Sequence, residues 1–278
     1  MFGRKILILV PHPDDEVVAC AATMGRAQAE GAAISALYLT HGCIAAEILW
    51  PWQRKYYEKY VARRRAEAEE AAQFLGIAPV GWSTRPARHL WRELSAVYDE
   101  ISKVIAVRGI DQLWVPAYEG GNADHDGLNA IGSLFKNEVS VLEFAEYNFS
   151  NGATHSQMFP SAKGSEQILV LTPAEQKKKR VALALYASEK SNLNYVKTER
   201  ECFRPLAAYD YSSRPHPGTL WYERFQWVPF RHPRVDFTKA EEVSRAIAAF
   251  LNAKASAPPA PATPVIPARK EASRGSGG

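Results

Sequence analysis

The chain has 278 residues, 46% of them hydrophobic and 11% aromatic, enough for one substantial core and too apolar for wholesale disorder. Its formal net charge is +4, but from Lys254 onward four cations (Lys254, Arg269, Lys270, Arg274) face Glu271 alone, so +3 belongs to that segment and +1 to the body. This is the charge of a solvated tail and not a nucleic-acid footprint. Three widely spaced cysteines without a CxxC pair speak against a disulfide framework and fit a reducing, cytoplasmic compartment.

In chain order, "KILILV" (5–10) is a continuous apolar run of strand length, as expected of a strand buried on both faces. It is too short for a signal-peptide core or a membrane span, and acids follow it at once. "DEVVACAATMGRAQAEG" (15–31) reads as a helix with acids in its first turn. "AISALYL" (33–39) is a second strand, and "RKYYEKYVARRRAEAEEAAQFLG" a long helix that stops at Gly76. Residues 79–83 predict a third strand, 92–109 a helix and 111–116 a strand. "DGLNAIGSLFKN" then predicts a short helix capped by Asp126. Residues 139–148 and 167–171 read as strands, and "PAEQKKKRVALALYASE" as a helix with Pro173 in its first turn. Residues 203–235, rich in Pro, Arg and aromatics, predict a folded but loop-rich flap. Residues 236–253 close the body (1–253) with a helix. The Pro/Ala- and Gly/Ser-rich segment 254–278 reads as a disordered tail.

Alternating strands and helices imply an α/β fold: a Rossmann-like, mostly parallel sheet with helices on both faces. Ligands then bind beyond the carboxyl ends of the strands, where the loops 11–16, 40–53 and 117–125 share a rim. Two of these loops carry metal-type ligands. "HPDDE" supplies His12, Asp14 and Asp15; "NADHD" supplies Asp124, His125 and Asp126. One imidazole and one carboxylate from the first loop with an imidazole from the second would make a three-ligand site that leaves a position for water. The spare acid of the Asp14/Asp15 pair could take that water's proton. The residues alone do not say which of the two is the ligand. The first β–α turn has no glycine-rich phosphate loop, which makes a nucleotide-binding reading the weakest.

"PHPDDE" after a first strand, with an acid–His loop after a later one, resembles the LmbE/PIG-L deacetylases. The resemblance extends over about residues 5–225 and takes in "LTHG" (39–42), "RRAEAEEAAQFLGI" (64–77), "PAYEGGNADHD" (116–126), "YASE" (186–189) and "FRPL…YDYSSRPHPGTLWYER". It implies a metal-dependent hydrolase that removes acetyl groups from N-acetylglucosamine-type sugars. By position it implies His12, Asp15 and His125 as ligands of Zn2+, Asp14 as general base, and Arg64 near the sugar site. The ligand set suits zinc and also admits iron or manganese. The sequence departs from the family at its second motif, usually His-Pro-Asp-His and here Asn122-Ala123-Asp124-His125. Asn122 can donate a hydrogen bond but cannot deliver a proton. With Asp124 it stays a candidate for the catalytic group, and His216 or Asp14 becomes the expected proton source. His41 is a candidate for the pocket lining. The expected partner is a small amino-sugar substrate, with neither nucleic acid nor a membrane span and with homo-oligomers left open. An amidase for a larger acyl or thiol-conjugate amide, or a weakly catalytic sugar-binding relative, is the alternative that Asn122 keeps open.

Overall fold

Residue burial divides β1 (Lys5–Val10) between two cores: Leu7 and Leu9 point into one and Ile6, Ile8 and Val10 into the other, all essentially inaccessible. Period-2 alternation puts successive side chains on opposite faces, so an unbroken apolar run is what a strand covered on both sides requires. Each such side chain contributes roughly 1.5–3 kcal/mol of burial. The computed structural model, which describes residues 2–256, repeats this logic along the sheet.

After β1 come α1 (Asp15–Ala29), β2 (Ala33–Tyr38), the short α2 (Pro51–Arg54), α3 (Tyr57–Leu75), β3 (Ala78–Trp82), α4 (Leu94–Arg108), β4 (Gln112–Pro116) and α5 (Ala123–Leu134). The chain continues through β5 (Ser140–Phe144), β6 (Tyr147–Asn148), β7 (His155–Ser156), β8 (Gln167–Val170), α6 (Pro173–Leu185), β9 (Arg200–Pro205) and α7 (Ala240–Ser256). Seven strands form one sheet in the order β3-β2-β1-β4-β5-β9-β8, with β6 and β7 a separate pair. The first five are parallel; β9 and β8 add antiparallel. Side chains of α1, α3 and α6 fill the core on one face, and those of α4, α5 and α7 the core on the other.

The order matters for function. From β1 the chain winds outward to β2 and β3, then returns to lay β4 on the other flank of β1. The strand order therefore reverses between β1 and β4, and the crevice beyond their carboxyl ends is where such sheets bind ligands. The loops 11–14 and 117–122 leave the sheet at that point.

Several boundaries differ from the sequence expectation for physical reasons. The N-cap of α5 is Asn122, whose Oδ1 accepts the Asp124 N–H at 2.9 Å, so the helix starts three residues before the Asp126 cap. The run 139–148 splits: β5 ends at Phe144, and Tyr147–Asn148 pairs with β7 instead. The helix expected to reach 189 stops at Leu185. Strand β9 was not legible because "RECFRP" interleaves charge with apolar residues; its charges are buried as pairs, Glu201 with Lys179 (2.9 Å) and Arg204 with Glu143 (2.6 Å). Helix α7 runs to Ser256 and so includes the first residues of the segment assigned to the tail; the rest of that segment lies outside the described residues.

Glu201 also accepts the N–H groups of Ala22 and Thr23 and the Thr23 hydroxyl, which ties β9 to α1 and α6. Lys179→Met would leave that carboxylate buried without its cation. The expected loss is about 3–5 kcal/mol in urea unfolding, while Lys177→Met on the exposed side of α6 should change stability by less than about 0.5 kcal/mol.

Candidate metal centre

The turn after β1 is held by its own side chains. Asp15, the first residue of α1, accepts the His12 N–H through Oδ2 at 2.8 Å. Asp14 adopts φ 134°, ψ −27°, a conformation costing on the order of 1–3 kcal/mol in a non-glycine residue. Its N–H donates to Glu16 at 3.1 Å. Glu16 is fully buried and accepts the hydroxyls of Tyr186 and Tyr38; burial pushes its carboxyl up to about 7. The third acid of "HPDDE" thus braces the loop from below.

The turn brings together what the sequence separates by more than a hundred residues. His12 Nδ1 and Asp15 Oδ2 are 3.2 Å apart. His125 Nε2, from the first turn of α5, is 3.2 Å from that same Asp15 oxygen and 3.2 Å from His12 Nδ1. A tetrahedral ion bound at about 2.0–2.1 Å spaces its ligand atoms about 3.3 Å apart, so this triangle fits one face of such a site. The donor set, two imidazoles and a carboxylate, suits zinc and related divalent ions.

Both imidazoles are backed by carboxylates on their far nitrogens. His12 Nε2 lies 3.1 Å from Asp124 Oδ2. Asp124 is itself fixed by the Arg88 N–H at 2.7 Å and the Trp91 N–H at 3.3 Å. His125 Nδ1 faces Glu146 Oε1 at 3.6 Å; this nitrogen and both Glu146 oxygens are buried without a hydrogen bond. Such carboxylates set the tautomer and orientation of a ligating histidine. The cluster draws in positive charge. Burial works against a charged His12, yet Asp15 and Asp124 outweigh it and push the imidazole up to about 10. Burial would likewise raise Asp15, but His125 and His12 hold it well below the usual carboxylate range.

Asp14 stands beside the triangle and lines the cleft. Its Oδ2 pairs with Arg64 Nη2 at 3.1 Å, and Oδ1 has no hydrogen-bond partner among the described residues. Burial lifts this carboxyl well above its usual range against the pull of Arg64. Arg64 is no solvated helix arginine: it is 3% exposed, donates to the Pro13 carbonyl and lies 3.5 Å from Glu189. Gly42, at φ +76°, makes room for it, since a Cβ there would come within 2.9 Å of the guanidinium and of Pro13.

The remaining candidates fall elsewhere. Asp124 is buried behind His12 and does not line this cleft, which makes it a positioning group. Asn122 does line the cleft, with its Oδ1 engaged in capping α5. His216 is off the cleft wall: its Nδ1 faces the Pro217 carbonyl at 2.8 Å, and its Nε2 is turned toward Gly120, buried without a partner. His41 bonds Tyr57 and the Cys43 N–H and lines a smaller, neighbouring pocket. Burial pushes the Cys43 thiol up to about 11, far from a nucleophilic thiolate. Trp50 and Trp52 stack on each other, centroids 5.4 Å apart, at the surface.

The cleft itself, about 910 Å³, is walled by residues the sequence reading did not single out: Glu189, Tyr195, Arg88 and Arg224 among them. Tyr147, Tyr195 and Trp221 form an aromatic wall with centroids 4.9–5.4 Å apart. Only "YASE" gave a signal for any of these, since each comes from a stretch without periodicity.

Residues 7–135 match the family model described as "PIG-L: GlcNAc-PI de-N-acetylase". No curated protein matches the chain. Among solved structures, the chain is similar to a deacetylase of the teicoplanin biosynthesis pathway (TM-score 0.58, 19% identity, 72% of this chain and 97% of that one). It is similar to the A40926 pseudoaglycone deacetylase (0.57, 18%, 74% and 99%). A third similar structure is the N,N'-diacetylchitobiose deacetylase of Pyrococcus horikoshii (0.52, 17%, 72% and 83%). At these identities the likeness carries the fold.

Removing a carboxylate behind a ligating histidine should weaken the site without dismantling it. Asp124→Asn and Glu146→Gln are each expected to lower zinc affinity about 10–100-fold in a chelator competition, while His41→Ala and His216→Ala leave it unchanged.

Proposed function

The chain belongs to the PIG-L/LmbE family of deacetylases, and on that premise we propose that it is a zinc-dependent hydrolase that removes the N-acetyl group of an N-acetylglucosamine-type sugar conjugate. The observation that carries this reading is the 3.2 Å triangle of His12, Asp15 and His125 at the floor of the cleft, with the unpartnered Asp14 Oδ1 beside it. Three unpaired cysteines, Cys20, Cys43 and Cys202, support a cytoplasmic setting.

His12, Asp15 and His125 would hold the ion. Such an ion supplies a Lewis acid for the amide carbonyl and makes water nucleophilic near neutral pH. The chain's own groups do the rest. Asp14 is the general base: Oδ1 accepts the proton of the attacking water while Arg64, on Oδ2, fixes the carboxylate in place. Burial raises this carboxyl against the pull of Arg64, so once it has accepted the water's proton it can return it to the leaving amine. That return answers the missing histidine of the second motif. Asn122, with its carbonyl oxygen spent on the helix cap, still offers its Nδ2–H to the cleft as a neutral donor for the developing oxyanion.

Asp14→Ala should keep stoichiometric zinc by metal analysis and lose about 10²–10⁴-fold in acetate release from an N-acetylglucosamine glycoside. Retained turnover in that variant, or no acetate from any zinc-loaded amino-sugar panel, would count against the reading.

A further inference from the structure

The turn after β4, residues 117–122, is held from three sides. On α5, the helix that carries His125, Asp126 Oδ1 accepts the N–H groups of Glu119 (3.2 Å) and Gly120 (3.1 Å). The Gly120 carbonyl accepts the Trp221 N–H at 2.9 Å, which fastens the flap to the same turn. The third hold is the Glu119 side chain. It is buried and meets only neutral donors: Oε1 accepts the N–H groups of Glu146 (2.7 Å) and Tyr147 (3.1 Å), and Oε2 accepts Asn148 Nδ2 (3.1 Å). All three donors belong to residues 146–148, which follow β5.

Filling the space does not call for a carboxyl group. Burying one without a cation costs stability that an apolar side chain of similar size does not. An amide would not serve either. Asn148 Oδ1 accepts the N–H and the hydroxyl of Ser150, which turns Nδ2 toward Glu119 and the Met158 carbonyl at 2.8 Å. Glu119→Gln would keep one oxygen on the 146–147 backbone and set its NH2 group against that of Asn148. Among the described residues nothing accepts a proton from Glu119, and its three donors oppose the burial that pushes the group up to about 8.

The segment held in this way carries two groups that meet His125. Glu146 Oε1 lies 3.6 Å from His125 Nδ1, and the Tyr147 ring stands edge-on to the imidazole, centroids 5.8 Å apart. Neither oxygen of Glu146 has a hydrogen bond, so its backbone alone places it: the N–H on Glu119 and the carbonyl on the Gln157 N–H at 2.9 Å. Gly121 closes the contact from the turn, since a Cβ there would collide with the Tyr147 carbonyl. Resting on the metal centre of the deacetylase reading, we infer that Glu119 is a positioning residue with two arms. It seats Glu146 behind His125, which keeps the proton on Nδ1 and the Nε2 lone pair toward the ion. It also sets Tyr147 in the cleft wall. Glu119 itself touches neither ion nor substrate.

Zinc affinity by chelator competition, measured on the full chain as a double-mutant cycle, tests the first arm without turnover. Glu119→Gln should lower the affinity about tenfold or more. In a Glu146→Ala background the same change should move it by less than about twofold, because the group it positions is already gone. Calorimetry with methyl glucosaminide at saturating zinc tests the second arm. Glu119→Gln should weaken binding at least about threefold, while Glu146→Ala leaves it within about twofold. Lys179→Met is the control for a purely structural loss: its urea midpoint should fall while both affinities stay within about twofold. Unchanged zinc affinity in Glu119→Gln overturns the inference. So does an equal loss in the wild-type and Glu146→Ala backgrounds, because Glu119 would then only pack the loop. Unchanged glucosaminide binding overturns the Tyr147 arm. If Glu119→Gln fails to fold, Asn148→Ala, which withdraws the one Oε2 donor, decides by the same cycle: a loss of about threefold that vanishes in the Glu146→Ala background is expected, and an unchanged affinity overturns the inference. A wild type that binds no zinc overturns the metal reading and this inference together, an outcome distinct from a loaded wild type whose affinity Glu119 does not move.

Discussion

Three lone-pair atoms, two imidazole nitrogens and a carboxylate oxygen, lie 3.2 Å from one another in a place water hardly reaches. Against the cost of burial, Asp15 and Asp124 push the His12 imidazole up to about 10, and the two histidines hold Asp15 well below the usual carboxylate range. The cluster thus favours positive charge at its centre, and a divalent ion would offer each of the three atoms a bond and the buried acids a countercharge. The strained turn at Asp14, the buried Glu16 beneath it and the space left by Gly42 all serve to hold two distant loops at this spacing.

The same constraint assigns the two neighbouring aspartates different work. Asp15 opens α1 and is turned inward by its bond to the His12 N–H, so its oxygen belongs to the triangle. Asp14, in a backbone conformation that few residues adopt, is turned out into the cleft and tethered by Arg64 on one oxygen only. Adjacent residues of the same type become a ligand and a candidate base because the backbone between them twists.

Much of this was legible. "KILILV" and "DQLWVP" announced buried parallel strands, and the acid–His pattern after each announced the rim that carries the triangle. Composition and spacing could not separate Asp14 from Asp15, because that choice depends on φ at a single residue. Asn122 looked like a vacancy in a motif, whereas its side chain caps a helix. His216, in "RPHPG", looked like a rim residue and is turned behind Gly120, since a loop without periodicity does not reveal which way its side chains face. Glu146 was invisible for another reason: its meaning lies in the donor that its buried oxygens lack.

The central claim is the metal triangle, and anomalous diffraction at the zinc edge from a crystal of the zinc-loaded protein tests it most directly. The account requires one strong peak about 2.0–2.1 Å from each of His12 Nδ1, Asp15 Oδ2 and His125 Nε2, with Asp14 Oδ1 within reach of the open position. A peak bound through His12 Nε2 and Asp124 instead, or no ordered ion in the cleft, would contradict it.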